Sequence, residues 1–171
     1  LLGIPYTGPG ILASALGMDK HMQQNLLKAE GLSVPESMII HEREWLEDKE
    51  DVKRRISKRF TFPVFTKPTR EGSSVGVTGV KDEDSLDEGI EYALRYDNAV
   101  LVEEYIQGIE FSCIVLEEDG IAIPLDLTEI YPQSEYYTYD DKYMPGRCRK
   151  FTPPKNIPPV IIEKIKAAVL K

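Results

Sequence analysis

The stretch "KPTREGSSVGV", residues 67–77, decides how this chain is read. Gly72 and Gly76 bracket the pair Ser73–Ser74, with Lys67 and Arg70 ahead of them. The apolar runs "FPVFTKP" (62–68) and "VGVTGV" (75–80) flank it, so the loop joins strand to strand. Neither G-x-x-x-x-G-K-[ST] nor G-x-G-x-x-G occurs, which sets aside the standard strand-to-helix phosphate loops. Two readings stand. One is a flexible hairpin connection. The other is an anion cover, because glycine lets backbone approach a ligand closely and serine supplies hydroxyl and N–H donors.

Working outward, Lys67 shares a strand face with Phe65 and opposes Thr66. In a strand this apolar, its ammonium either runs out to water or points at an anion. Further on, "AVLVEEYI" (99–106) is apolar on both faces, as in a strand covered from both sides. Glu103 interrupts one face and Glu104 the other. A buried, unpartnered carboxylate costs several kcal/mol. Each glutamate therefore has a partner, lines a cleft, or sits where the strand has left its layer. Glu110, just after Gly108, adds a third carboxylate nearby.

The remaining pattern alternates helix and hairpin. Residues 10–30 have helical apolar spacing, with Asp19 able to cap a second helix, and "VPESMII" (34–40) reads as a strand. A charged helix is predicted over 42–57 with the stripe Trp45, Val52 and Ile56, and another over 82–96. A hairpin is predicted over 110–125, turning at Asp119–Gly120. Residues 126–156 read as irregular and Tyr/Pro-rich, and a helix starts after 157. Hairpins mixed with helices favour an α+β arrangement with largely antiparallel sheets. The segment "YYTYDDKYMPG" (136–146) is either a surface loop pinned by its aromatics or a functional loop carrying Lys142 and Tyr143.

Composition narrows the classes. The chain has 171 residues, 42% apolar and 29% charged, with a net charge of −8. A chain this long buries roughly 70% of its unfolded surface, so it forms a core without staples. The acidic balance argues against nucleic-acid binding, while a small anionic ligand needs only a few local cations. No apolar run approaches the ~20 residues of a membrane span, and no signal peptide is read at the start. Cys113, in "FSCIVL", is expected to be buried, and two cysteines suggest a reducing cytosol. His21 and His41 are isolated, no zinc spacing appears, and no Ser-His-Asp or Cys-His set is visible.

Four stretches in this order resemble the ATP-grasp enzymes, and among them the D-alanine–D-alanine ligase family: "GIPYTGPGILASALGMDK" (3–20), "VFTKPTREGSSVGV" (64–77), "VLVEEYIQGIEF" (100–111) and "YTYDDKYMPG" (137–146). The resemblance implies two α+β subdomains with largely antiparallel sheets and nucleotide held between them. It divides the chain into the end of an N-terminal domain with a linker helix (1–18), a central ATP-grasp subdomain (19–102) and the first part of a C-terminal subdomain (103–171). It also implies that the sequence is part of a longer protein and does not turn over by itself.

The resemblance further implies roles. Lys20, Lys67 and Lys142 contact ATP phosphates, and the loop Glu71, Gly72, Ser73, Ser74 to Gly76 closes over them. Glu103 accepts from the adenine amino group, the backbone of Glu104 and Ile106 reads the adenine edge, and Glu110 holds the ribose. Ser73 and Tyr143 lie at the catalytic centre. Tyr at position 143 goes with D-alanine as second substrate, where relatives that use D-lactate carry Phe. ATP with Mg²⁺ or Mn²⁺ is the implied cofactor set, with metal ligands and an oxyanion-stabilising Arg expected beyond residue 171. The implied partners are ATP and D-alanine, with no nucleic acid and no membrane, in a cytoplasmic homodimer serving peptidoglycan synthesis. The alternatives are another ATP-grasp carboxylate–amine ligase or a non-catalytic nucleotide-binding module.

Overall fold

The computed structural model describes residues 3–171, so the first two residues of the 1–18 segment lie outside it. The chain forms two compact units, one extending to Tyr105 and the other spanning Ile106–Lys171.

The first unit runs α1 (Ile11–Met18), α2 (Lys20–Ala29), β1 (Ser37–His41), α3 (Glu42–Glu47), α4 (Lys49–Arg59), β2 (Val64–Pro68), β3 (Thr78–Val80), α5 (Leu86–Leu94) and β4 (Ala99–Glu104). Aspartates punctuate the helices. Asp19 is extended, and its carboxylate accepts the N–H groups of His21 and Met22, both at 3.0 Å, so the apolar spacing of 10–30 becomes two helices. Asp48 likewise splits the expected 42–57 helix and caps α4 through the Asp51 N–H at 2.9 Å. Each carboxylate satisfies N–H groups that a helix start leaves without partners.

The four strands form an antiparallel sheet in the order β1-β4-β2-β3. Its register sorts the side chains. Val64 of β2 and Val100 and Val102 of β4 pack with Trp45, Val52, Ile56, Leu86 and Ile90 of the helices in one core. Pairings Ser37↔Glu103, Phe65↔Glu103 and Lys67↔Leu101 put the polar exceptions together on the opposite face. The loop after β2 is longer than the sequence suggested, because β3 starts at Thr78 and residues 73–76 are turn.

The second unit contains β5 (Glu110–Ser112), β6 (Val115–Glu118), β7 (Ile121–Pro124), β8 (Thr128–Pro132), α6 (Tyr139–Tyr143), β9 (Cys148–Phe151) and α7 (Pro159–Val169). Two segments of this unit differ from the pattern the sequence predicts. The segment 110–125 is three strands. Only β6 and β7 form the hairpin, turning through Asp119 (φ +50°) and Gly120 (φ +78°), while β5 pairs with β8. The segment 126–156 is not irregular: β5-β8-β9 is an antiparallel sheet, and α6 lies within the Tyr-rich stretch. β8 carries no alternation to read, because the adjacent Glu129 and Ile130 are both buried and the fully buried one is a carboxylate. Its carboxylate accepts from the Tyr131 hydroxyl and from the Lys155 N–H at 2.9 Å. Cys113 is half-buried rather than buried, next to a hairpin whose residues are almost all exposed.

Candidate functional site

In the first unit, the sheet face opposite the core carries the charged residues. Lys67 on β2 and Glu103 on β4 are diagonal neighbours, with Nζ 2.6 Å from Oε1. Their side chains are 18% and 11% exposed. Gln24 of α2 donates its amide N–H to the other Glu103 oxygen and accepts the Ser37 hydroxyl at 2.5 Å. Glu103 is thus a buried carboxylate with partners, and the strand has not left its layer there. Glu104 faces the other way and accepts the Glu36 N–H at 2.8 Å. The Glu104 N–H donates to the Glu36 carbonyl at 3.0 Å, so that donor is already committed.

Lys20 opens α2, and its N–H donates to the Thr69 carbonyl at 2.9 Å. Its ammonium donates to the carbonyls of Pro68 at 3.1 Å, Thr69 at 3.5 Å and Glu71. Burial, and next the positive charge of Lys67, push the Lys20 ammonium below its usual range, against the pull of Glu71, Asp97 and Asp19. Two like charges lie in one partly desolvated place, and the Glu103 carboxylate is the negative partner of Lys67.

The loop that joins β2 to β3 after Lys67 is tightly turned. Ser73 (φ +55°), Ser74 (φ +61°) and Gly76 (φ +70°) are all left-handed, and the Val75 N–H donates to the Gly72 carbonyl at 3.0 Å. Left-handed serines are uncommon and mark sites where strain is tolerated for a reason. Glu71, Gly72 and Ser73 are exposed, while Gly76 is buried. A Cβ on Gly76 would lie 2.5 Å from Pro68 Cγ and 2.8 Å from Tyr96 Cδ2, so glycine is required by both space and conformation.

The base of the loop is fastened by residues the sequence reading missed. Asp97 accepts the Thr69 hydroxyl at 2.5 Å, the Arg70 N–H at 3.0 Å and the Arg70 guanidinium. Burial pushes the Asp97 carboxyl up, but the bonds from Arg70 and Thr69 outweigh it and hold the group at about 2. In sequence, "YDNA" before β4 reads as an ordinary turn, and nothing local marks its carboxylate.

In the second unit, Ile106 is exposed, and Glu110 is exposed at the start of β5. Lys142 and Tyr143 are on α6. The Lys142 ammonium lies 5.0 Å from the Tyr137 ring centroid, and the Tyr139 and Tyr143 rings pack at 4.7 Å. Lys150 of β9, not singled out in the sequence, lies 5.7 Å from the same Tyr137 ring, and the Tyr137 hydroxyl holds its ammonium above the usual range. Thr138 caps α6, and buried Asp141 accepts the Thr138 hydroxyl at 2.7 Å and the Thr138 N–H at 3.1 Å. Burial pushes the Asp141 carboxyl up, and hydrogen bonds from Thr138, Ser134 and Gln133 bring it down to about 2. Among the described residues, no three metal-ligating side chains converge, and no helix is long and apolar enough to cross a membrane.

The family described as D-ala D-ala ligase C-terminus matches residues 26–171. A D-alanine–D-alanine ligase of Acetivibrio thermocellus is 39% identical over 171 residues, which is all of this chain and 45% of that protein. One of Streptomyces coelicolor is 42% identical over 152 residues, 84% of this chain and 38% of that protein. Among solved structures, the VanG D-Ala:D-Ser ligase from Enterococcus faecalis aligns with a TM-score of 0.80 at 35% identity, covering 98% of this chain and 47% of that one. D-alanyl-alanine synthetase A from Vibrio cholerae aligns with a TM-score of 0.78 at 25% identity, covering 98% of this chain and 50% of that one. The chain thus spans about half the length, or less, of the proteins it matches.

Proposed function

The chain belongs to the D-alanine–D-alanine ligase family, whose fold is ATP-grasp, and on that premise we propose that it serves an ATP-dependent ligase joining two D-alanines for peptidoglycan precursor synthesis. The observation that carries this is the placement of Lys20 and Lys67 together at the base of the 71–76 loop.

A D-alanine carboxylate oxygen attacks the γ-phosphorus of ATP, ADP leaves, and an acyl phosphate forms. The amine of a second D-alanine then attacks the acyl carbon, and phosphate departs with the former carboxylate oxygen. Charge developing on the transferred phosphoryl group calls for preorganised cations, the role proposed for Lys20, Lys67 and Lys142. An acyl phosphate hydrolyses readily, so a loop that excludes water is required, the role proposed for Glu71, Gly72, Ser73, Ser74 and Gly76. Glu103, the backbone at Glu104 and Ile106, and Glu110 are proposed to hold adenine and ribose, and Tyr143 to lie at the amino-acid site with Ser73.

The family is ATP-dependent and metal-requiring. A divalent cation, when bound, would supply positive charge to offset that of the phosphates. The described residues contain no cluster fitted to hold it, so no ligand for it is assigned to this chain. The whole protein is proposed to act in the cytoplasm, as a homodimer.

The similarity to a D-Ala:D-Ser ligase supports a second reading, with D-serine as the second substrate. One experiment tests both: phosphate release by the full-length protein with ATP, Mg²⁺ and a panel of D-alanine, D-serine, D-lactate and L-alanine. Release with D-alanine alone supports the first reading, and release that requires D-serine as well supports the second. Release that no D-amino acid stimulates overturns both.

A further inference from the structure

We propose that the α5–β4 turn, Tyr96–Asp97–Asn98, positions the 71–76 loop and Lys20 for phosphate binding, with Asp97 as the positioning residue. The inference rests on the ATP-ligase reading above. The Asp97 side chain is 4% exposed, so it has no open face for a ligand. It gathers the first arm of the loop instead. Its carboxylate accepts the Thr69 hydroxyl at 2.5 Å, the Arg70 N–H at 3.0 Å, Arg70 Nε at 3.3 Å and Arg70 Nη2, together with the N–H of Asn98 at 2.8 Å. Arg70 Nη2 also donates to Asn98 Oδ1 at 2.6 Å. These are charge-assisted bonds with a forked guanidinium, the geometry that fixes direction as well as distance.

The second arm returns to the same turn. Gly76 lies so close to Pro68 and Tyr96 that a single added methyl group would overlap both. Both arms therefore end on three consecutive residues, which bracket Glu71–Val75. The clamp also sets the direction of Lys20. Its N–H bonds the Thr69 carbonyl, and its ammonium lies within hydrogen-bond reach of the carbonyls of Pro68, Thr69 and Glu71, on and either side of the two residues Asp97 holds. A cation offsets transition-state charge only where it is held beforehand, and a shift of about 1 Å at a reacting group can cost roughly a hundredfold. Asp97 acts through Thr69, Arg70 and Lys20, not on the substrate.

The test compares full-length wild type with Asp97→Asn, Thr69→Val and Thr69→Ser. Amide hydrogen exchange across residues 69–77 is read without ligands, and KM for ATP, KM for D-alanine and kcat are read in turnover. Asp97→Asn and Thr69→Val are expected to speed exchange at 71–76 and raise KM for ATP about tenfold while KM for D-alanine stays near wild type. Thr69→Ser, which keeps the hydroxyl, should restore wild-type values. Unchanged exchange and unchanged KM for ATP would overturn the proposal. So would faster exchange throughout the protein with both KM values rising together, because that is plain destabilisation. If wild type neither binds nor consumes ATP, the ligase reading fails, and the exchange data alone then decide whether Asp97 fastens the loop.

Discussion

The Lys67 ammonium lies 2.6 Å from the Glu103 carboxylate, the two side chains standing diagonally across β2 and β4 on the sheet face away from the core. The proposed phosphate contact and the proposed adenine contact are therefore held against each other, with Gln24 on the second carboxylate oxygen. Lys67→Ala leaves Glu103 buried without its cation, which is expected to cost about 2–4 kcal/mol as well as weakening ATP binding. The double variant Lys67→Met/Glu103→Gln removes both charges and should recover most of that stability without recovering ATP affinity. Urea unfolding and ATP titration of the three proteins check this. Full ATP affinity in the double variant would remove both residues from the site.

Gly76 and Gly72 make a contrasting pair in one loop. Gly76→Ala puts a methyl group into Pro68 and Tyr96 at φ +70°, and the expected loss is about 2–4 kcal/mol. Gly72→Ala meets open space without a positive φ and is expected to stay within about 0.5 kcal/mol of wild type. Thermal unfolding of both variants decides the point. Equal losses would mean that the loop does not close on Tyr96 as described.

Asp97 makes a prediction about acid stability. Its folded-state value of about 2 lies below the ordinary 3.8, so its contribution is present above pH ~4 and is lost as pH falls through about 2. The depression corresponds to about 2 kcal/mol at neutral pH. Asp97→Asn should be less stable than wild type at pH 7, and the gap should narrow between pH 4 and pH 2. Circular dichroism of urea unfolding at a series of pH values measures it. A gap independent of pH would show that the carboxylate charge is not what holds Thr69 and Arg70.

In the second unit, Thr138 and Asp141 close α6 with reciprocal bonds, the Thr138 hydroxyl accepting the Asp141 N–H at 3.2 Å. Thr138→Ala is expected to cost about 1 kcal/mol and to loosen the turn that carries Lys142 and Tyr143. Faster proteolysis between residues 133 and 146, with cleavage elsewhere unchanged, is the expected result. An unchanged cleavage pattern would count against the cap.

Element type was legible wherever local chemistry dictates it. The strands expected over 62–68 and 99–106 formed as Val64–Pro68 and Ala99–Glu104, the chain turns at Asp119–Gly120, and the stripe Trp45, Val52 and Ile56 is buried in the core. Lys67 was also read correctly as a cation on the Phe65 face. Boundaries failed where one side chain overrules periodicity, as when Asp48 cut the 42–57 helix. The sheet β5-β8-β9 was missed because the buried Glu129 draws its partners from residues 131 and 155, a pairing no local pattern carries.

The sequence by itself determined the antiparallel α+β character, the glycine–serine loop and the place of Lys67 on the Phe65 face of the strand leading into it, because these follow from strand alternation, backbone freedom and residue type. Only the tertiary structure decided that Lys67 faces Glu103, that Lys20 spends its donors on the loop base, and that Asp97 fastens that base from about 27 residues downstream. Each of these depends on the register of β2 against β4 and on the docking of α2 and the α5–β4 turn. Register and docking are set by burying the Trp45, Ile56 and Ile90 core as a whole, and that is a property of the packed chain rather than of any stretch of it.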